Sequence, residues 1–227
     1  LLDDTVGDLI KENQVEDFEN VESAFVKKVQ LTLSEPNLME NASDFTRLSA
    51  ELRSILETEN ITISYDALKT LPLKVREQNW QVTVTCLMQD DAAEIIRVES
   101  GLVDTPPYGI ALDIGTTTIA VALVDLATGK KIHQSGTFNR QATMGDDVIS
   151  RIVYTEEEKF GLRETQSIVI ETINSLLDDV YAAEHISPEE VSAMMVAANT
   201  TMIHLFLGIE PKFIRREPYI PAAAHFP

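Results

Sequence analysis

Apolar residues at 24–33 keep a period of two, with Phe25, Val29, Leu31 and Leu33 on one face, which predicts a strand. The period then changes. Ser43 is suited to cap a helix, and Phe45, Leu48, Leu52, Ile55 and Leu56 follow at helical spacing. Residues 64–74 predict a shorter helical piece, interrupted at Pro72. Period two returns at 80–88, where Trp80, Val82, Val84, Cys86 and Met88 alternate, and again at 94–98. Gln89-Asp90-Asp91-Ala92 joins these two runs as a hairpin. The pattern is a β-α-α-β-β unit of α+β class, roughly 80 residues long. Its polar residues are scattered, and no chemistry is assigned to it.

Residues 101–107 break the pattern, because Asp104-Thr105-Pro106-Pro107 stops regular structure and stiffens a connection. Three strand signals follow at 108–114, 118–126 and 130–138, the last alternating more weakly, with Ala127-Thr128-Gly129 as the turn between the second and third. Residues 146–154 predict a short helix. At 163–185 Val169, Ile173, Leu176, Leu177 and Val180 form one stripe, opposite Ser167, Glu171, Asn174 and Asp178, which predicts a long amphipathic helix. Ser187-Pro188-Glu189-Glu190 supplies a cap, a first-turn proline and a capping-box acid. The short apolar run 191–198 predicts a buried strand. Asn199 then caps a helix over 200–207 that ends at Gly208. The order is β-β-β-α-β-α, an α/β lobe. The chain therefore divides into an acidic linker (1–22), a middle α+β domain (23–100), a second linker (101–107) and the lobe (108–227).

Eighteen Lys and Arg against 37 Asp and Glu leave a formal charge of −19, which disfavours nucleic acid and anionic membranes as partners and leaves proteins. Cys86 is the single cysteine, so disulfides, zinc–thiolate sites and iron–sulfur clusters have no ligand set in this stretch. Its place in the alternating run marks it as core, and its isolation fits a reducing cytoplasm. His133, His185, His204 and His225 are scattered and are assigned to no metal. No run approaches the ~20 apolar residues of a membrane helix, and no signal peptide is visible. The chain opens at Leu1 without Met and closes at Phe226-Pro227, which reads as part of a longer protein.

The chemistry concentrates at Asp113-Ile114-Gly115-Thr116-Thr117-Thr118, between two apolar strands. Gly115 lets backbone approach a ligand without a Cβ in the way. Successive amides in such a turn form an anion-binding concavity, and threonine hydroxyls add donors. A strand-end carboxylate can hold hydrated Mg²⁺ beside phosphates, because Mg²⁺ keeps several waters and takes few protein ligands. Asp113 is thus the candidate catalytic residue, organising Mg²⁺ through water, and Gly115, Thr116, Thr117 and Thr118 are candidate phosphate donors. The competing account is a plain hairpin. Three threonines in a row are not usual hairpin chemistry, which prefers Asn-Gly or Asp-Gly.

That turn, with β-β-β-α-β-α order, resembles the first ribonuclease-H-like lobe of the actin-like ATPase superfamily, shared by acetate kinases, sugar kinases, heat-shock chaperones and actin. Further segments narrow the resemblance. Tyr108-Gly109-Ile110-Ala111-Leu112 before the turn, Asn139-Arg140-Gln141, Gly145-Asp146-Asp147-Val148-Ile149-Ser150-Arg151-Ile152, Asn199-Thr200-Thr201-Met202 and Glu217-Pro218-Tyr219-Ile220-Pro221 are similar to the reductive activators of corrinoid proteins. Residues 26–98 are similar to that family's middle domain. Two departures stand out: Ala197-Ala198 where a glycine beside the Asn is usual, and Arg140 where proline is usual.

The resemblance implies an ATP-dependent enzyme that returns Co(II) to Co(I) on a corrinoid protein of a methyl-transfer system. It implies ATP and Mg²⁺ in a cleft between two lobes, a [2Fe–2S] domain upstream and a second ATPase lobe downstream, both outside this chain. Without that second lobe this stretch is expected to be inactive. Asn199, Thr200 and Thr201 would form a second wall of the nucleotide cleft, with a simple helix cap as the alternative. Asp146, Asp147 and Arg151 would line the cleft or touch the partner, with a first-turn acidic pair as the alternative for the two aspartates. The oligomeric state, homodimer included, is open. Other readings of the same lobe are a small-molecule kinase for a sugar or acid and a non-catalytic actin-like scaffold.

Overall fold

A computed structural model describes residues 25–39 and 42–223. The linker predicted over 1–22 and His225 lie outside them. The described residues form two four-stranded sheets, each with its own core.

The first sheet holds β1 (Val26–Thr32), β2 (Asn60–Ile63), β3 (Gln81–Gln89) and β4 (Ala92–Ser100) in the order β1-β3-β4-β2. Two helices complete it, α1 (Asp44–Leu56) and α2 (Tyr65–Glu77). Both begin at a serine cap: Ser43 Oγ accepts the Thr46 amide at 3.1 Å, and Ser64 Oγ accepts the Ala67 amide at 3.3 Å. Leu48, Leu52 and Leu56 of α1 and Ala67, Leu71 and Val75 of α2 bury against Val82, Val84 and Cys86. Ile55 stays half exposed at the edge of the predicted stripe. Leu31 of β1 and Leu33 just after it are buried, whereas Phe25 just before the strand is exposed and Val26, on the other face, is buried.

Two expectations fail here. Pro72 does not interrupt α2: it sits on the exposed side, and the apolar residues either side keep the helix seated in the core. The strand β2 was absent from the predicted order. It has four residues, too few for a period of two to register, and pairs in parallel with β4 at the sheet edge.

The second sheet holds β5 (Tyr108–Ile114), β6 (Thr118–Asp125), β7 (Lys131–Phe138) and β8 (Val191–Ala198) in the order β7-β6-β5-β8. Strand β8 is parallel to β5 and the other pairs are antiparallel. Three helices follow the strands: α3 (Val148–Glu157), α4 (Gly161–Glu184) and α5 (Thr200–Leu207). Ile110, Leu112 and Ile114 of β5 pack with Val169, Ile173, Leu176, Leu177 and Val180 of α4. Burial of those five α4 side chains contributes on the order of 10 kcal/mol before chain entropy is counted. The alternate residues Ala111 and Asp113 lie on the opposite, exposed face.

Ser187 and Glu190 do form a capping box, but around a single 3₁₀ turn. Strand β8 is not buried as predicted: Met195 is 73% exposed and Met194 is also exposed. An apolar run reports burial only where both faces are covered. Among the described residues β8 is an edge strand, with β5 as its sole strand neighbour. Residues 101–107 are irregular but pinned, with Lys28 Nζ donating to Thr105 Oγ1 and Gln30 Nε2 to the Val103 carbonyl, both at 2.9 Å. Arg97 of β4 donates to the Val191 carbonyl at 2.9 Å, tying the first sheet to the base of β8. No helix among the described residues is long and apolar enough to cross a membrane.

Candidate functional site

Parallel pairing brings the carboxyl ends of β5 and β8 together, with Asp113 opposite Ala197 and Ile114 opposite Ala198. The next residues on each strand, the turn at 115–118 and Asn199, therefore meet at one end of the sheet, where open α/β sheets bind ligands. The Gly115 amide donates to the Thr118 carbonyl at 2.9 Å and closes the turn. A Cβ on residue 115 would lie 2.7 Å from that same oxygen, so glycine is required.

Three of the turn's carbonyls are held by groups from outside it. The Asn139 carboxamide donates to the Gly115 carbonyl at 2.8 Å, Arg151 Nη2 to that of Thr116 at 2.6 Å, and the Asn139 amide to that of Thr117 at 2.8 Å. The amides of Thr116 and Thr117 find no acceptor among the described residues. Thr117 is exposed and Thr116 is partly exposed, so this donor pair is open to a ligand.

Asn139, Gln141 and Arg151 form the buried support beneath. Asn139 Oδ1 accepts the Gln141 amide at 3.0 Å. The Gln141 side chain donates to the Thr165 carbonyl at 2.8 Å and accepts from Arg151 Nη1 at 3.3 Å. Arg151 Nε donates to the Gly145 carbonyl at 2.9 Å. Gly145 must lack a side chain, since its Cβ would fall 2.8 Å from the Arg151 amide nitrogen. Burial pulls the Arg151 pKa down, against the pull of Asp147 and Asp146.

Arg151 is 0% exposed, so the partner contact that the resemblance implies for it is excluded. The sequence alone assigns Asn139 and Gln141 no role. The signal was there: Arg151 falls on the same helical stripe as Val148, Ile152 and Thr155, where an apolar residue is the norm. Asp147 is occupied as the cap of α3, its Oδ1 accepting the Ile149 and Ser150 amides at 2.8 Å each. The Ser150 amide foremost holds its carboxyl below the usual range, and desolvation opposes this. Asp146 is exposed beside it.

Asn199 does two things. Its Oδ1 accepts the Met202 amide at 2.9 Å, capping α5, and its Nδ2 lies 3.3 Å from Thr116 Oγ1, joining the two walls. Thr200 is exposed at the helix start, while Thr201 is 5% exposed and turned into the core. The Asp113 carboxylate is exposed and has no protein partner among the described residues. It borders a concavity of about 280 Å³ whose lining includes Ala111, Ala120, Ala197, Gln134 and Met195. The alanines, Ala197 among them, leave room beside the carboxylate. Arg140, the other departure from the resemblance, is exposed on a 3₁₀ turn. Outward amides, a glycine no Cβ could replace and an unpaired carboxylate together fit a phosphate group carrying hydrated Mg²⁺.

The family described as the RACo middle region matches residues 108–227, and that described as the RACo linker region matches residues 13–105. The corrinoid activation enzyme RamQ of Eubacterium limosum is 34% identical over 117 residues, 52% of this chain and 20% of that protein. A solved structure, the reductive activator for corrinoid, iron-sulfur protein, superposes with a TM-score of 0.79 at 40% identity. That match covers 90% of this chain and 32% of the solved chain. The chain thus spans between about a fifth and about a third of these relatives.

Proposed function

The chain belongs to the reductive activators of corrinoid proteins, and from that premise we propose that the protein containing it reduces Co(II) to Co(I) on a corrinoid partner at the expense of ATP. The observation that carries this reading is the turn at 115–118, whose Thr116 and Thr117 amides are unpaired and open beside the free Asp113 carboxylate. Asp113 would hold Mg²⁺ through water. Gly115, Thr116, Thr117 and Thr118 would cradle phosphate, with Asn199 and Thr200 forming the facing wall at the start of α5. Thr201 would contribute only its backbone, since its side chain is buried.

ATP, when bound, supplies the free energy that favours one conformation over another; about 5.5 kcal/mol of differential affinity carries a two-state equilibrium from 1:99 to 99:1. The electron would come from a [2Fe–2S] cluster held elsewhere in the protein, one electron reducing one Co(II). The stretch 1–227 by itself is proposed to be inactive. The charge of −19 supports a protein partner over nucleic acid, and a lone buried thiol supports the cytoplasm.

The test uses the full-length protein, a one-electron donor and a Co(II) corrinoid iron–sulfur protein, with cobalt reduction followed by its visible absorption. Conversion should require Mg²⁺ and ATP and disappear in Asp113→Ala. Conversion without ATP would refute the reading. Phosphoryl transfer to a sugar or acid without cobalt reduction would point to a kinase, and nucleotide-dependent polymerisation alone to a scaffold.

A further inference from the structure

We propose that Asn139 and Arg151 are positioning residues for phosphate: by drawing in the carbonyls of Gly115, Thr116 and Thr117 they aim the amides of Thr116, Thr117 and Thr118 at the ligand. The inference rests on the phosphate-binding reading above and adds the device that shapes the site.

The argument follows from the planar trans peptide, in which a carbonyl and the amide of the next residue point in opposite directions. A bond that fixes the Gly115 carbonyl inward also fixes the Thr116 amide outward. The same relation links the Thr116 carbonyl to the Thr117 amide, and the Thr117 carbonyl to the Thr118 amide. Each of the three carbonyls is held, at 2.8, 2.6 and 2.8 Å, from Asn139 Nδ2, Arg151 Nη2 and Asn139 N respectively. Three consecutive amide directions are therefore set by two side chains and one backbone group from outside the turn. A hairpin that needed only to reverse the chain would require none of this.

The support is rigid. Asn139 is 1% exposed and Arg151 0% exposed. Arg151 uses three further donors on the Gly145 carbonyl, Gln141 Oε1 and Met202 Sδ, which restrain its head. None of these acceptors carries a charge. Among the described residues the guanidinium behind the turn is hydrogen-bonded only to neutral acceptors, the nearby Asp147 carboxylate being engaged by the first amides of α3. Its field favours an anion in front of the turn.

Two conservative variants of the full-length protein test this. Asn139→Asp keeps the acceptor for the Gln141 amide and replaces the donor to Gly115 by a carboxylate oxygen. Arg151→Lys keeps the charge and removes the fork. Titration calorimetry would measure Mg·ATP and adenosine on each, and hydrogen exchange would follow amides 116–118 with and without Mg·ATP. We expect each variant to weaken Mg·ATP about tenfold or more, to leave adenosine unchanged, and to lose nucleotide protection of those amides. The positioning role is overturned if both variants keep the wild-type preference for ATP over adenosine, or weaken both ligands equally. A wild type that binds Mg·ATP no better than adenosine overturns the phosphate-binding reading itself. Should Arg151→Lys fail to fold, Asn139→Asp decides alone.

Discussion

Substituting Gly115 by alanine tests the turn through its tightest contact. The new Cβ would lie 2.7 Å from the Thr118 carbonyl oxygen, closer than a carbon and an oxygen tolerate. That oxygen belongs to backbone and cannot rotate away. It also accepts the Gly115 amide at 2.9 Å, so relieving the clash lengthens the bond that closes the turn. Overpacking of this kind costs about 1–3 kcal/mol, and the weakened bond adds about 1 kcal/mol. The sum of about 2–4 kcal/mol would lower the melting temperature of a chain this size by roughly 4–16 °C. Scanning calorimetry with and without Mg·ATP would read both effects in the full-length protein. The expected result is an earlier transition for the lobe and loss of most of the nucleotide-dependent upward shift. If Gly115→Ala melts with the wild type and is stabilised equally by Mg·ATP, the close approach is not what shapes this site.

Other outcomes follow from the same structure. Burial pushes the Cys86 thiol up to about 12, so at pH 8 it should be protonated and resist alkylation in the folded protein, reacting rapidly only after denaturation. Leu52→Ala removes a fully buried side chain of α1 and should destabilise the first sheet by about 2–5 kcal/mol, leaving Mg·ATP affinity unchanged; a change in affinity would mean the two cores are energetically coupled. Asp147→Ala should lower the melting temperature at neutral pH, because the depressed carboxyl caps α3. The wild-type advantage is complete above the ordinary carboxylate pKa, shrinks as pH falls towards the depressed folded value and vanishes below it; an advantage constant with pH would exclude the cap as its source.

What could be read from the sequence was local. The caps Ser43 and Asn199 act within three residues of themselves, and the stripe from Val169 to Val180 needs only helical periodicity. The turn at Asp113–Thr118 was legible because glycine and threonine in that setting carry their own chemistry. What escaped depends on partners distant along the chain. Arg151 reaches Thr116 across 35 positions, and Asn139 reaches Gly115 across 24. Exposure of β8 depends on which strands lie beside it, and the four residues of β2 become a strand only by pairing with β4. Pro72 misled because the rule that prolines break helices neglects the core contacts of Leu71 and Val75 on either side.

The central claim is that the bend after Asp113 grips the phosphates of a nucleotide. A crystal structure of the full-length protein with Mg²⁺ and a non-hydrolysable ATP analogue examines it directly. The account predicts phosphate oxygens accepting hydrogen bonds from the Thr116 and Thr117 amides, with a Mg²⁺-bound water on the Asp113 carboxylate. Phosphates held elsewhere, with those two amides still unpaired, would contradict it.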